Sequence, residues 1–297
     1  MTERVKIGPP HSWLALVIGN SRLHWALVEA DRLHTWNTPH LPSDPVSLDP
    51  LQIHLTLNDL LNRIEELPIE RQSDAGPFPH PDLPSALRSQ LPLWIASVVP
   101  SQTAFWQAYP QTRLLTLRDI PLREMYPTLG IDRALAVWGI ADRFGLPALA
   151  IDAGTALTLT GVDPLGNLVG GAILPGLGLQ IRSLAHHTAA LPAIQPQFIP
   201  DLPYWGRTTP DSITSGILHT LIAGLQTFIT DWLQTYPNST VVLTGGDATL
   251  LFQYLQHHWQ HRFPELLSQV HADENLVFWG MRAIVQQANS SSAEVKA

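Results

Sequence analysis

The sequence predicts an α/β protein of two similar domains with a cleft between them, on three observations. The chain has 297 residues, and at roughly 150 residues per domain this suggests two domains. Segments with strand character alternate with segments of helical spacing along the whole chain. Most telling, an apolar strand, a Gly-containing turn and a returning strand occur twice. Leu14 to Ile18 runs into Gly19-Asn20-Ser21, and Ala148 to Ile151 runs into Asp152-Ala153-Gly154-Thr155. Each copy opens about half of the chain. Ligands of α/β proteins bind at strand ends and domain interfaces, so these turns are the first places to look for chemistry.

Each element has a local reason. Trp13 to Gly19 (WLALVIG) is a short apolar run stopped by a turn, which reads as a buried strand. Arg22 to Glu29 is the returning strand of its hairpin. Pro39 to Pro50 and Asp74 to Pro92 are Pro-rich and read as loops, separated by a helical pattern over Leu51 to Glu70. Leu93 to Val99 is a strand closed by Pro100. A helix over Gln102 to Tyr109 and a strand over Arg113 to Leu117 follow. Met125 to Arg133 (MYPTLGIDR) is a loop feeding a helix from Ala134 to Phe144. Strands are expected at Ala148 to Asp152, Ala156 to Val162 and Asn167 to Ile173. Helices are expected near Gly178 to Leu191 and Asp211 to Tyr236. Val241 to Leu243 is a strand entering Thr244-Gly245-Gly246-Asp247, and a helix near Asn275 to Ala288 precedes a frayed Ser-rich tail.

Composition excludes several classes of function. With 17 Lys+Arg against 25 Asp+Glu, the net charge is −8, the wrong sign for a nucleic-acid backbone binder. It remains compatible with a nucleotide enzyme, where backbone N–H groups and a few cations hold phosphates. There is no cysteine, so disulfides, thiolate metal sites and cysteine nucleophiles are excluded, and a reducing cytoplasm is the expected setting. No apolar h-region follows Arg4 and Lys6, and no run of about 18 apolar residues occurs, so neither a signal peptide nor a membrane span is expected. His257 and His261 stand four apart without the metalloprotease Glu, and His186-His187 is a bare pair; both read as solvated helix faces. The 10 Trp residues read as core.

Three motifs carry chemistry. In Asp152-Ala153-Gly154-Thr155-Ala156, a carboxylate at a strand end can hold a cation, while the Gly admits phosphate oxygens to backbone N–H groups. The plain alternative is a hairpin turn. In Gly130-Ile131-Asp132-Arg133, an Asp and an Arg before a helix can act as base and anion clamp. The plain alternative is an N-cap at Asp132 beside a solvated Arg133. Thr244-Gly245-Gly246-Asp247, between a strand and a helix, suits close approach to an adenine or ribose, or is simply a strand–helix loop.

Taken in order, these motifs resemble the type III pantothenate kinases, within the superfamily of acetate and sugar kinases, Hsp70 and actin. The resemblance runs from Trp13 to about Gln287. It includes Gly19-Asn20-Ser21, Ala96-Ser97-Val98-Val99-Pro100, Leu129-Gly130-Ile131-Asp132-Arg133, Asp152 to Ala156, Gly170-Gly171-Ala172-Ile173-Leu174-Pro175-Gly176, Thr188 to Pro192, Gly206-Arg207-Thr208-Thr209 and Thr244-Gly245-Gly246. The segment Ile18 to Trp25 is similar to the cyanobacterial branch. The resemblance implies two ribonuclease H-like (actin-like ATPase) domains, over residues 1–126 and 127–297. It implies ATP-dependent phosphorylation of pantothenate, the first step of coenzyme A synthesis, by a cytoplasmic homodimer using ATP with Mg²⁺ and K⁺ or NH₄⁺.

Residue by residue, the resemblance places the first phosphate loop on Val17, Ile18, Gly19, Asn20, Ser21, Arg22, Leu23 and His24. It places the catalytic carboxylate on Asp132 and pantothenate contacts on Tyr126, Gly130, Ile131, Asp132, Arg133 and Thr209. Asp152 falls on the monovalent-cation ligand and Thr155 on an ATP contact. Three departures stand out. Val17 occupies the position of an Asp, His24 that of a basic residue, and Tyr126 lies three residues nearer Gly-x-Asp-Arg than the family spacing. Val17 bears on Mg²⁺ and phosphate handling. It also keeps two other readings open: a non-catalytic nucleotide or pantothenate sensor, and a phosphotransferase with another small substrate.

Overall fold

The computed structural model describes residues 12–40 and 91–294, apart from 108, 110 and 189. The helix expected over Leu51 to Glu70, and most of the two Pro-rich stretches, lie outside the described residues. Contacts divide the chain into two compact units. One holds the chain up to Ile120 with Gly130–Asp132 and the segment from Met281 on; the other holds Pro121–Leu129 and Arg133–Gly280.

The first unit is built on β1 (Ser12–Ile18), β2 (Leu23–Glu29), β3 (Arg32–Thr38), β4 (Leu93–Ser97) and β5 (Thr112–Leu114), in the order β3-β2-β1-β4-β5. β1 is antiparallel to β2 and parallel to β4, so it is the central strand, and its WLALVI run is buried throughout. β3 has no counterpart in the sequence reading. Its side chains alternate weakly and include Arg32, His34 and Asn37, as suits an edge strand. β5 is shorter than expected. On one face Trp25 stacks on Trp36 at 6.1 Å and meets Trp106 edge-on at 4.9 Å; Trp106 comes from α1 (Pro100–Gln107). Leu14, Leu16, Ile18, Leu23 and Ile95 fill the rest of this core.

The second unit repeats the plan with β6 (Ala148–Ala153), β7 (Ala156–Val162), β8 (Leu168–Pro175), β9 (Thr240–Thr244) and β10 (Val270–Ala272), in the order β10-β9-β6-β7-β8. β6 is again central, antiparallel to β7 and parallel to β9. Read from β8 to β10, this is the strand order of the first sheet, which is the duplication expected from the two strand–turn–strand segments. Its helices are α2 (Ile131–Phe144), α3 (Leu177–His187), α4 (Thr209–Thr235), α5 (Ala248–Trp259), the short α6 (Pro264–Leu267) and α7 (Leu276–Glu294), whose last part from Met281 belongs to the first unit.

Several expectations are corrected. α2 begins at Ile131 rather than Ala134, so Asp132 and Arg133 lie inside its first turn and Asp132 is not the N-cap. β10 and α6, only three and four residues long, were not expected. α7 continues through the Ser-rich segment to Glu294 instead of fraying. Trp205, at 88% exposure, is no core residue, and His257 is half-buried against Asp201 at 3.0 Å rather than solvated.

α4 is the longest helix described, at 27 residues. Thr208 caps it, accepting from the Asp211 N–H, and Pro210 sits in its first turn, where no N–H is missed. It is long and apolar enough to cross a membrane, a test that core helices also pass. Here Leu218, Leu221, Ile222, Leu225 and Ile229 lie in the core of the second unit, beside Ile151, Leu243 and Leu251. Burying each such side chain contributes roughly 1.5–3 kcal/mol.

Candidate active site

At the end of β1 the chain turns through Gly19 to Arg22 into β2, closed by the Gly19 N–H donating to the Arg22 carbonyl at 3.1 Å. The positions expected to hold phosphate divide sharply. Val17, Ile18 and Leu23 are buried, Ile18 and Leu23 in the core, so these residues offer a ligand only main-chain atoms. Asn20, Ser21 and Arg22 are exposed. His24 is held at Nδ1 by Asn37 Oδ1 at 2.7 Å, and His40 reaches the Gly19 carbonyl at 2.8 Å. Burial pushes the His24 pKa down. The Asn37 hydrogen bond opposes this, while Arg22 and His40 add to it. His24 is therefore a neutral imidazole at neutral pH and adds no positive charge there, unlike the basic residue it replaces.

In the second unit three turns converge at one end of the sheet. The β6–β7 turn carries Asp152, half-buried, and Thr155, exposed. The β8–α3 turn is joined to it through the Gly176 N–H, which donates to the Thr155 carbonyl at 2.9 Å. The β9–α5 turn is joined through the Asp247 N–H, which donates to the Ala153 carbonyl at 2.9 Å. Gly245 has a φ of +89° and lies against the Asp152 carboxylate and the Ala153 main chain. Any Cβ there would overlap them, and L-residues avoid that φ, so only glycine lets the two turns close. The structure thus brings Asp247 to the neighbourhood of Asp152, a placement the sequence did not reveal. The Asp247 pKa is raised by burial, against the opposing pull of the Gly178 N–H and of Arg182.

The Tyr126 to Arg133 segment forms a second constellation. Pro121–Leu129 is strapped to the β7–β8 turn by Arg123, whose N–H donates to the Gly166 carbonyl at 2.8 Å and whose carbonyl accepts from the Leu168 N–H at 2.9 Å. Asp132 is half-buried in the first turn of α2. Ile131 is buried and Gly130 half-buried. Arg133 is not solvated: it is 7% exposed. Its Nη1 donates to the Tyr126 hydroxyl at 2.9 Å, its Nε to Thr160 Oγ1 at 2.9 Å and its Nη2 to the Leu159 carbonyl at 3.0 Å. Despite the shortened spacing, Tyr126 and Arg133 are in direct contact.

Thr209 is the first residue of α4. With Arg207, Thr208, Ser212 and Ile213 it lines an open cavity of about 650 Å³, whose lining does not include Tyr126 or Arg133. Among the described residues no group of three or more His, Cys, Asp or Glu side chains is placed to hold a metal.

Comparison with known proteins agrees with this architecture. A solved structure from Campylobacter jejuni, described as a conserved member of the Baf family of transcriptional activators, superposes with a TM-score of 0.55 at 19% identity. It covers 93% of this chain and 99% of its own, and shares the fold. The family model for type III pantothenate kinase matches residues 13–231. A curated type III pantothenate kinase from Nostoc sp. is 45% identical over 277 residues, covering 93% of this chain and 95% of the relative. One from Synechocystis sp. is 40% identical, covering 92% and 90%. A third, from Gloeobacter violaceus, is 37% identical over 91% and 96%. With relatives this similar along nearly its whole length, the chain belongs to the type III pantothenate kinases.

Proposed function

We propose that the protein transfers the γ-phosphoryl group of ATP to the primary hydroxyl of pantothenate, giving 4′-phosphopantothenate for coenzyme A synthesis. The observation that carries this reading is the 45% identity along 93% of the chain to a curated type III pantothenate kinase. Phosphoryl transfer needs positioning and charge neutralisation more than covalent chemistry. Asp132 orients the substrate hydroxyl and accepts its proton as the oxygen bonds to the γ-phosphorus and the bond to ADP breaks. Main-chain N–H groups of Gly19 to Ser21 and of Gly154 and Thr155 hold phosphate oxygens. Gly130, Ile131 and Tyr126 shape the pantothenate site, and Thr209 adds a further contact to the substrate.

Asp152 fits K⁺ or NH₄⁺, and Asp152 with Asp247 fits the neighbourhood of Mg²⁺. Both are oxygen donors at strand ends, and Mg²⁺ leans on one or two carboxylates and the phosphates while keeping several waters. Such cations supply positive charge against the phosphates, which the neutral His24 does not. We further propose a cytoplasmic homodimer, supported by exposed apolar side chains at Trp205 (88%), Ile173 (66%) and Phe228 (46%). Residues 1–126 and 127–297 are its proposed domains.

A second reading, a nucleotide or pantothenate sensor without turnover, is favoured by Val17 and neutral His24. A panel of acceptors with ATP as donor tests the proposal. Pantothenate is expected to be phosphorylated in preference to acetate or sugars, at its primary hydroxyl by mass and NMR of the product. Preference for another acceptor overturns it.

A further inference from the structure

We infer that Arg133 is a positioning residue, which sets the pose of Tyr126 through a slot built into β7 and β8, and that it does not clamp the carboxylate of the substrate. The inference rests on the pantothenate reading above and concerns how that same site is organised.

Arg133 enters the second unit from the first turn of α2 and spends at least three of its five N–H donors inside the protein. Two of the acceptors, Thr160 Oγ1 and the Leu159 carbonyl, are adjacent on β7, and Thr160 is 1% exposed. The register pairs Thr160 with Gly171 on β8. Side chains of directly opposed residues in an antiparallel pair share one face of the sheet. A side chain at 171 would therefore stand where the guanidinium lies. A Cβ built there overlaps both Arg133 Nη2 and the Leu159 carbonyl. Gly171 thus leaves the space that the guanidinium fills. This gives a physical reason for glycine at 171.

The third acceptor explains what the slot is for. Tyr126 is 41% exposed, while its hydroxyl is fixed by the buried Arg133. The Leu129 N–H donates to the Tyr126 carbonyl at 3.0 Å, closing the turn that carries it. An aromatic ring held at both its main chain and its hydroxyl presents one fixed face to a ligand. A guanidinium anchored this deeply, with at least three of its five donors committed inside the protein, is poorly placed to form a bidentate fork with a substrate carboxylate.

The test is a double-mutant cycle with two ligands, pantothenate and its neutral alcohol analogue, in which the carboxylate is reduced. Arg133→Met, Tyr126→Phe and the double variant are compared with wild type by steady-state kinetics and by equilibrium binding of both ligands. Each single change is expected to raise the KM for pantothenate about tenfold with kcat less affected, and the double to cost no more than the larger single. The preference for pantothenate over the alcohol is expected to survive Arg133→Met. If Arg133→Met erases that preference, or if the two effects multiply, Arg133 touches the substrate and the inference is overturned.

Should Arg133→Met fail to fold, Thr160→Val releases the guanidinium from the other side. It is expected to raise KM in the same way, without adding to Tyr126→Phe; an unchanged KM overturns the inference. If wild type binds pantothenate but does not phosphorylate it, the kinase reading fails, and the binding arm alone still judges the role of Arg133. If wild type does not bind pantothenate, both fail.

Discussion

The two sheets have the same strand order, yet their first hairpin turns carry opposite chemistry. After β1 the chain presents Val17, an exposed Gly19-to-Arg22 turn and a neutral His24. After β6 it presents Asp152, Thr155 and, from the neighbouring β9 turn, Asp247. The first turn therefore offers main-chain donors, while the second gathers the carboxylates that suit cations. Duplicated topology supplies two strand-end turns, and their side chains differ in character. In the proposed mechanism Asp132 and the second turn are the indispensable parts and the first turn an adjustable one.

That division can be broken or sharpened by substitution. Asp132→Asn is expected to cost the most, about 10²–10⁴-fold in kcat, because an amide is nearly isosteric but accepts no proton. Its melting temperature and pantothenate affinity are expected to stay near wild type, and near wild-type turnover would remove Asp132 from the mechanism. Asp152→Ala comes next, with at least about a tenfold loss of rate, in line with the losses seen when metal-site partners are removed. Wild type is expected to be slower in Na⁺ or a bulky organic cation than in K⁺, and the variant to respond little to the exchange. Equal rates of wild type in all these salts would show that Asp152 is not a monovalent-cation ligand.

Val17→Asp probes the weaker turn. Val17 is 7% exposed, so a carboxylate there meets a desolvation penalty above the roughly 1–3 kcal/mol of a buried neutral polar group, and is expected to lower the melting temperature. If the position serves Mg²⁺, the same change is expected to lower the KM for MgATP or raise kcat. Unchanged kinetics in a folded variant would show that the first turn takes no part in metal handling.

Asp247→Asn is the smallest effect. Burial raises the native pKa of Asp247 above its unfolded value. Between the two values the folded chain binds more protons, so stability is fully present below the unfolded pKa and is lost as pH rises through the native one. The Asn variant is thus expected to melt about 1–2 °C higher at pH 7. The size is small because solvent screens a half-buried charge, and the difference should vanish below about pH 4. A variant that melts lower at pH 7 would mean the ionised carboxylate is stabilised by Gly178 and Arg182 more than burial opposes it.

The central strands and their turns were legible because WLALVIG and ALAID are apolar runs halted by glycine, a signal that needs no tertiary context. β3 and β10 were not, because edge strands bury little and three residues leave no period to read. The start of α2 was missed by three residues because Gly130 and Ile131 carry no capping signal. At the candidate site, residue types were legible but not their environments. Arg133 in sequence is indistinguishable from a solvated arginine; only the pairing of Thr160 with Gly171 across two strands shows the slot it enters. Asp247 likewise depends on β9 lying beside β6, which sequence spacing does not state.

The most direct measurement is formation of 4′-phosphopantothenate by the purified full-length protein with ATP, Mg²⁺, K⁺ and pantothenate. Catalytic, ATP-dependent product is expected, with one ADP released per phosphopantothenate. Binding of ATP or pantothenate without any product would contradict it and leave a sensor in place of a kinase.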